Sequence, residues 1–144
     1  MLKNHFESIT MLSREFSNLS EEEFVEISDK NYELQGFFER NGQSLVFYNP
    51  SGNFEGFCVD TNSKATENYN LAGRFEGLLS KDFSCIKYAK SGEYDGYYIA
   101  VNGYICEFDE KGSFLGYYGK NKDGSINKYD ALGKMELSIK RTKK

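Results

Sequence analysis

The hydrophobic and polar positions of this 144-residue chain change their period near residue 31. Before that point, apolar residues recur every three or four positions, which is typical of one stripe on an amphipathic helix. They are Leu2, Phe6, Ile9, Leu12 and Phe16. Ser20 and Glu23 have the spacing of a capping box, so a second short helix is expected from Ser20 to about Ile27. Residues 1–30 are therefore predicted to form a helical segment, which would cover one end or face of the rest of the domain.

From residue 32 onward the period is two, and a turn signal such as Asn-Gly or Ser-Gly comes about every ten residues. This pattern predicts short strands joined by tight turns, and residues 31–144 are expected to form one antiparallel β-repeat domain. The candidate strands are 32–39, 43–49, 53–60, 65–70, 74–80, 83–89, 93–101, 104–109, 113–119, 125–130 and 134–140.

The strand region contains five copies of one pattern: an aromatic residue, a three-residue spacer, a glycine and a second bulky residue. The first aromatics are separated by 21, 19, 20 and 21 residues. The copies are YNPSGNFEG from Tyr48, YNLAGRFEG from Tyr69, YAKSGEYDG from Tyr88, FDEKGSFLG from Phe108 and YDALGKMEL from Tyr129. These repeats predict a mainly β (α+β) fold: an antiparallel meander of about ten strands built from five hairpin repeats, with a short N-terminal helical segment. Whether this sheet stays open or closes into a barrel is left undecided by the pattern.

Alternation along a strand assigns each residue of the repeat to a face. Phe54 and Gly56 share one face, and the same holds for the equivalent pairs in later repeats, so this aromatic–glycine face is predicted to be the interior. The opposite face then carries Glu55 with Phe57, and its later equivalents include Glu76, Asp95, Tyr97 and Tyr117. On the same logic Tyr94 and Tyr98 are expected in the core.

The quoted repeat copies resemble the MORN-variant repeat, over roughly Tyr48 to Lys140. Asn102-Gly103 matches the mid-repeat turn of that family, whereas Met135-Glu136-Leu137 lacks its final glycine, as a capping repeat would. The resemblance implies an array of hairpins. It also implies a binding role, since some bacterial members of the family are antitoxins or immunity proteins, and others bind lipids or act as scaffolds.

Composition narrows the classes of function. The formal charge is −4 and the pI is near 5.1, which argues against a general nucleic-acid-binding surface. Three cysteines without close pairing and one histidine make a poor metal set, and buried reduced thiols suit a cytoplasmic protein. No apolar run is long enough to span a membrane. His5 has no catalytic partner in the pattern, so we expect no enzyme, no cofactor and no metal.

The sequence therefore favours a binding protein, and the leading hypothesis is an immunity protein or antitoxin that occludes the active site of a toxin. A basic toxin domain would suit the acidic surface, and the predicted contact residues are Glu55, Glu76, Asp95, Tyr97 and Tyr117. The acidic run Glu21–Glu23 with Glu26 is an alternative surface. Other hypotheses are a β-barrel that holds a lipid-like ligand where the strand glycines leave space, and a repeat scaffold or adaptor. If the sheet is open, its edge strands would favour a homodimer.

Overall fold

A computed structural model of the chain describes residues 11–12, 14–61, 65–80, 85–89 and 91–144. It contains twelve strands: β1 (Glu23–Asp29), β2 (Leu34–Asn41), β3 (Ser44–Tyr48), β4 (Phe54–Thr61), β5 (Ala65–Asn70), β6 (Phe75–Ser80), β7 (Cys85–Ala89), β8 (Tyr94–Val101), β9 (Tyr104–Phe108), β10 (Phe114–Lys120), β11 (Ile126–Asp130) and β12 (Met135–Lys143). Each strand pairs antiparallel with the next, and β1 pairs with β12, so the sheet closes into a barrel.

The eleven candidate strands coincide with β2 to β12, and the predicted antiparallel meander is confirmed. The closed ring removes the premise of the homodimer prediction, because each of the twelve described strands has two hydrogen-bonded neighbours and exposes no edge. The predicted strand number of about ten was too low because one strand was assigned to a helix.

That strand is β1, and the predicted helix from Ser20 to Ile27 is wrong. The Ser20 amide does donate to a Glu23 carboxylate oxygen at 3.1 Å, and this bond holds the pKa of Glu23 below its usual value. The Glu23 amide donates to the Ser20 carbonyl, which makes the segment a turn that leads into a strand. Val25 and Ile27 then point into the barrel, because β1 pairs with both β2 and β12.

The structure tests only part of the helix predicted from the stripe Leu2–Phe16, since residues 1–10, including His5, lie outside the described part of the chain. Met11, Leu12, Arg14 and Glu15 are helical. Met11, Leu12, Phe16 and Leu19 join the barrel core, where they lie with Phe38, Phe47, Tyr118 and Ile139. Arg14 donates to the carbonyls of Leu79 and Ser80. Residues 11–12 and 14–19 thus cover one end of the barrel, called here the capped end, but a helical segment over residues 1–30 is not shown.

Six turns lie at the opposite end of the barrel, and four of them follow one design. An Asp or Asn at the first position accepts hydrogen bonds from the amides two and four residues later, as Asp109 does from Lys111 and Ser113. The fourth position is Gly in the left-handed region, for example Gly112 at φ 83°. The turn that starts at Ala89 has Gly92 at the fourth position but no Asp or Asn at the first. The turn at residues 29–33 has the Asp29 bonds but carries Tyr32 at the fourth position with φ 62°. It therefore belongs to a sixth repeat, which contains β1 and β2.

Tyr32 is strained, because a bulky side chain in the left-handed region costs about 1–2 kcal/mol. Its ring is 75% exposed, so little packing offsets the strain. We expect Tyr32→Gly to raise the free energy of unfolding by about 0.5–1 kcal/mol, measured by urea denaturation, since the flexibility of Gly in the unfolded state cancels part of the gain. Tyr32→Ala keeps a Cβ and is the control; an equal gain there would show that the ring, and not the backbone, is the cause.

The predicted interior face is wrong for the aromatic member of each repeat. A β-bulge lies just before each repeat glycine: Phe47 pairs with Gly56 and Tyr48 with Phe54, so Glu55 is the extra residue. The bulge breaks the alternation, and consequently Gly56 faces inward while Phe54 is exposed. Tyr94 is exposed for the same reason, whereas Tyr98 is buried as predicted.

Candidate functional site

The end of the barrel opposite the cap, which we call the mouth, consists of the six turns and the six bulge residues. The bulge residues are Gln35, Glu55, Glu76, Asp95, Leu115 and Glu136. The predicted acids Glu55, Glu76 and Asp95 thus occupy three consecutive bulges. The described residues of the mouth include ten acids: Asp29, Glu33, Glu55, Glu76, Glu93, Asp95, Asp109, Glu110, Asp130 and Glu136. The described basic residues there are Lys30, Arg74, Lys111 and Lys134, so the mouth is more acidic than the whole chain.

Contacts indicate that Glu76 and Asp95 turn toward the inner side of the barrel. The Asn70 amide donates to Glu76 at 2.7 Å, and Asn70 follows the inward-facing Thr66 and Asn68 on β5. Glu76 and Asp95 line one small cavity together with the buried Lys87. The structure therefore brings Glu76 and Asp95 together, but not on a shared outer face with Tyr97 and Tyr117 as predicted.

Exposed apolar side chains stand at the tips of three mouth turns. Leu132 is 82% exposed, Leu71 is 63% exposed, and Tyr32 occupies the strained position described above. Turn tips are normally polar, so three apolar tips around one opening form an unusual rim. We call these residues the apolar rim. Together with the bulge acids they make the mouth a surface with an acidic centre and apolar edges.

Tyr97 and Tyr117 lie on the outside of the barrel wall. Each stacks on a cross-strand neighbour, Tyr97 on Phe108 and Tyr117 on Tyr129, with ring centroids 4.9 Å apart in both pairs. Such pairs stabilise a sheet by about 0.2–1 kcal/mol each, which gives both tyrosines a structural role.

The outer surface of β8, β9 and β10 is uncharged, and we call it the wall. The outward side chains on these three fully described strands include Tyr94, Tyr97, Ile99, Val101, Tyr104, Cys106, Phe108, Phe114 and Tyr117. Of the eleven large apolar side chains found exposed in the described residues, six lie between Tyr94 and Leu115. An open groove of about 400 Å³ crosses the wall, lined by Val101, Asn102, Tyr104, Cys106 and Tyr117.

Cys106 lines this groove and is partly exposed, contrary to the prediction of buried thiols. Cys58 is buried as predicted. The side chain of Cys85 lies outside the described part of the chain.

Three of the strand glycines, Gly77, Gly96 and Gly116, lie against the backbone of a neighbouring strand. A Cβ on Gly96 would lie 2.2 Å from the Phe108 carbonyl oxygen, and one on Gly116 would lie 2.3 Å from that of Tyr129. The backbone of the neighbouring strand thus fills each site. Two cavities lined by described residues hold about 20 Å³ each, which is room for a water molecule.

The interior near the mouth holds a buried charge network. The Lys87 ammonium lies 3.0 Å from Glu107 Oε2, which also accepts a hydrogen bond from the Tyr98 hydroxyl at 3.1 Å. Lys128 lies 4.0 Å from the other Glu107 oxygen and 3.9 Å from Glu136. The network thus links the core to a bulge acid of the mouth.

Comparison of the chain with models of known protein families and with curated proteins finds no match. Among the described residues, no helix is long and apolar enough to cross a bilayer. The same residues contain no group of three or more His, Cys, Asp or Glu side chains placed to hold a metal ion.

Proposed function

We propose that the protein is a non-enzymatic protein-binding module of the immunity-protein or antitoxin kind, and that it binds a basic partner domain at the mouth. One observation carries the proposal: four of the six bulges hold an acid, so the acids of separate repeats lie at one end of a closed barrel. The resemblance to MORN-variant repeats, which include antitoxin and immunity proteins, supports the same class of function.

Charge and apolar surface combine at the mouth in the way that protein interfaces require. The acidic centre attracts a basic domain from a distance and accelerates its capture. The apolar rim of Tyr32, Leu71 and Leu132 offers side chains that lose contact with water when a partner seats on them. If the partner has a cleft that binds phosphates, the carboxylates of the mouth would occupy the positions of the phosphates. The bound protein would then block that cleft.

The proposed surface omits Tyr97 and Tyr117. Both lie on the wall, outside the acidic centre, and both are half-buried in ring stacks. Substitution of either tyrosine would weaken the sheet as well as any contact with the partner. Substitution of Glu55, Glu76 and Asp95 is therefore the more specific test of the mouth.

The variant Glu55→Lys/Glu76→Lys/Asp95→Lys tests the mouth directly. When the wild-type chain is the bait in an extract of the native cells, we expect it to retain a partner. We expect the variant to lose that partner. With the purified partner, we expect association to slow by roughly 10–100-fold at low salt and by only a few-fold at high salt, because screening removes the long-range attraction. Stopped-flow or surface-plasmon measurements at two ionic strengths give both rates.

The matched control is Glu21→Lys/Glu22→Lys/Glu26→Lys, which makes the same charge change away from the mouth and covers the alternative acidic surface. Capture of one stoichiometric basic partner by wild type and control, but not by the mouth variant, would support the proposal. Co-expression must then relieve the toxicity of that partner. Equal capture by all three chains would exclude the mouth, and loss with the control alone would move the site to Glu21–Glu26.

A further inference from the structure

We propose that the wall is a self-association face, on which a second copy of this chain docks antiparallel about a two-fold axis. The proposal rests on the outer surface of β8–β10 and is independent of the function of the mouth. It also differs from pairing through open strand edges, which the closed barrel excludes for the described strands.

The lack of charge on the wall favours a second copy of the chain as the molecule that binds there. Each chain carries a formal charge of −4, so two copies repel unless they meet over a neutral surface. The wall is such a surface, since its outward side chains are aromatic, aliphatic or cysteine. An antiparallel arrangement places the two acidic mouths at opposite ends, where their repulsion is least and both stay accessible. A basic partner, by contrast, gains no electrostatic attraction from the wall.

The wall carries both a groove and exposed side chains beside it. The groove floor holds Cys106 between Tyr104 and Tyr117, and Ile99 stands exposed beside it. A two-fold axis brings the same patch of both copies together, so a protruding side chain of one copy meets the groove of the other. The aromatic ring of Tyr104 is 49% exposed and lies over Gly119, which leaves its outer side open to such a contact.

The available area fits a weak, reversible dimer. The three strands of the wall are spaced ~4.8 Å apart and run ~17–26 Å, which covers roughly 300 Å² in projection. Stable interfaces bury about 800 Å² per partner, and smaller ones are transient. We therefore expect a dissociation constant on the order of 10–100 μM.

Sedimentation of the wild-type chain between about 5 and about 500 μM tests self-association, because this range brackets the expected constant. The variant Ile99→Glu/Val101→Glu places two charges at the centre of the wall. Its control, Ser138→Glu, adds a charge to the outer surface of β12. We expect the wall variant to raise the dissociation constant by at least about 100-fold, since a buried unpaired charge is strongly unfavourable, and the control to leave it within about 3-fold.

Thiol labelling of the wild-type chain gives a second measurement that needs no substitution. Cys106 should react several-fold more slowly with a maleimide at about 500 μM than at about 5 μM, whereas the buried Cys58 should react slowly at both. A wild-type chain that stays monomeric throughout this range overturns the proposal. So does a dimer that survives in the wall variant, or a dimer in which Cys106 labels at an unchanged rate.

Discussion

Glu107→Gln should lower the free energy of unfolding by about 3–5 kcal/mol, the largest loss we expect from a change of one charge in this protein. The substitution keeps the shape of the side chain but removes the anion that faces Lys87, whose ammonium is 3.0 Å away and almost fully buried. Burial of an ammonium group is costly, and loss of the Glu107 charge removes attraction that offsets this cost. Urea denaturation followed by tyrosine fluorescence measures the loss.

Two comparisons separate this cause from a general effect of losing an ion pair. Glu15 and Lys120 are 2.8 Å apart, and the lysine is 62% exposed, so Glu15→Gln should cost no more than about 0.5 kcal/mol. The double variant Lys87→Met/Glu107→Leu removes both charges and should recover much of the lost stability. If Glu107→Gln costs no more than Glu15→Gln, the buried network contributes nothing to stability.

Gly96→Ala should be nearly as damaging, although it adds a single methyl group. Gly96 has φ 125°, and the new Cβ would lie 2.2 Å from the carbonyl oxygen of Phe108 and 3.1 Å from the Cα of Asp109. Backbone strain and overpacking add to a loss of about 3–4 kcal/mol, measured by urea denaturation.

The control for this prediction lies in the same hairpin. Gly92 also has a positive φ, 84°, but a Cβ there would meet nothing within 4 Å. Gly92→Ala therefore tests backbone strain alone and should cost about 1 kcal/mol. Equal losses at the two positions would show that the close approach of β9 to the bulge is unimportant.

Local patterns in the sequence predicted most of the strands, because each hairpin carries its own turn chemistry. Strand β1 was missed because its outcome depends on a distant partner. Ser20 and Glu23 make the local contact of a helix start, but Val25 and Ile27 are buried only when β12 pairs beside them. Closure of the sheet also depends on the pairing of β1 with β12, and the pattern within a single repeat therefore cannot predict it.

The candidate site shows the same division between local and distant information. Repeat spacing identified Glu55, Glu76 and Asp95 as equivalent positions, and the structure gathers their strands at one end. Their face was wrong because a bulge of one residue reverses the alternation that comes after it. The apolar rim was overlooked, although Leu71 and Leu132 inside hairpin turns are a signal that the sequence alone displays.

The pairing of β1 with β12 also determines the order in which the molecule forms. Eleven of the twelve strand pairings join consecutive strands and require only short loops, whereas this last one joins the two ends of the sheet. Hairpins form in microseconds, but contacts between distant segments wait for a slow search. The closing step therefore sets the refolding time. During synthesis, one edge of β1 stays unpaired until Met135 and the residues after it have left the ribosome. In that interval, chaperone binding or rapid synthesis must keep this edge from pairing with other chains.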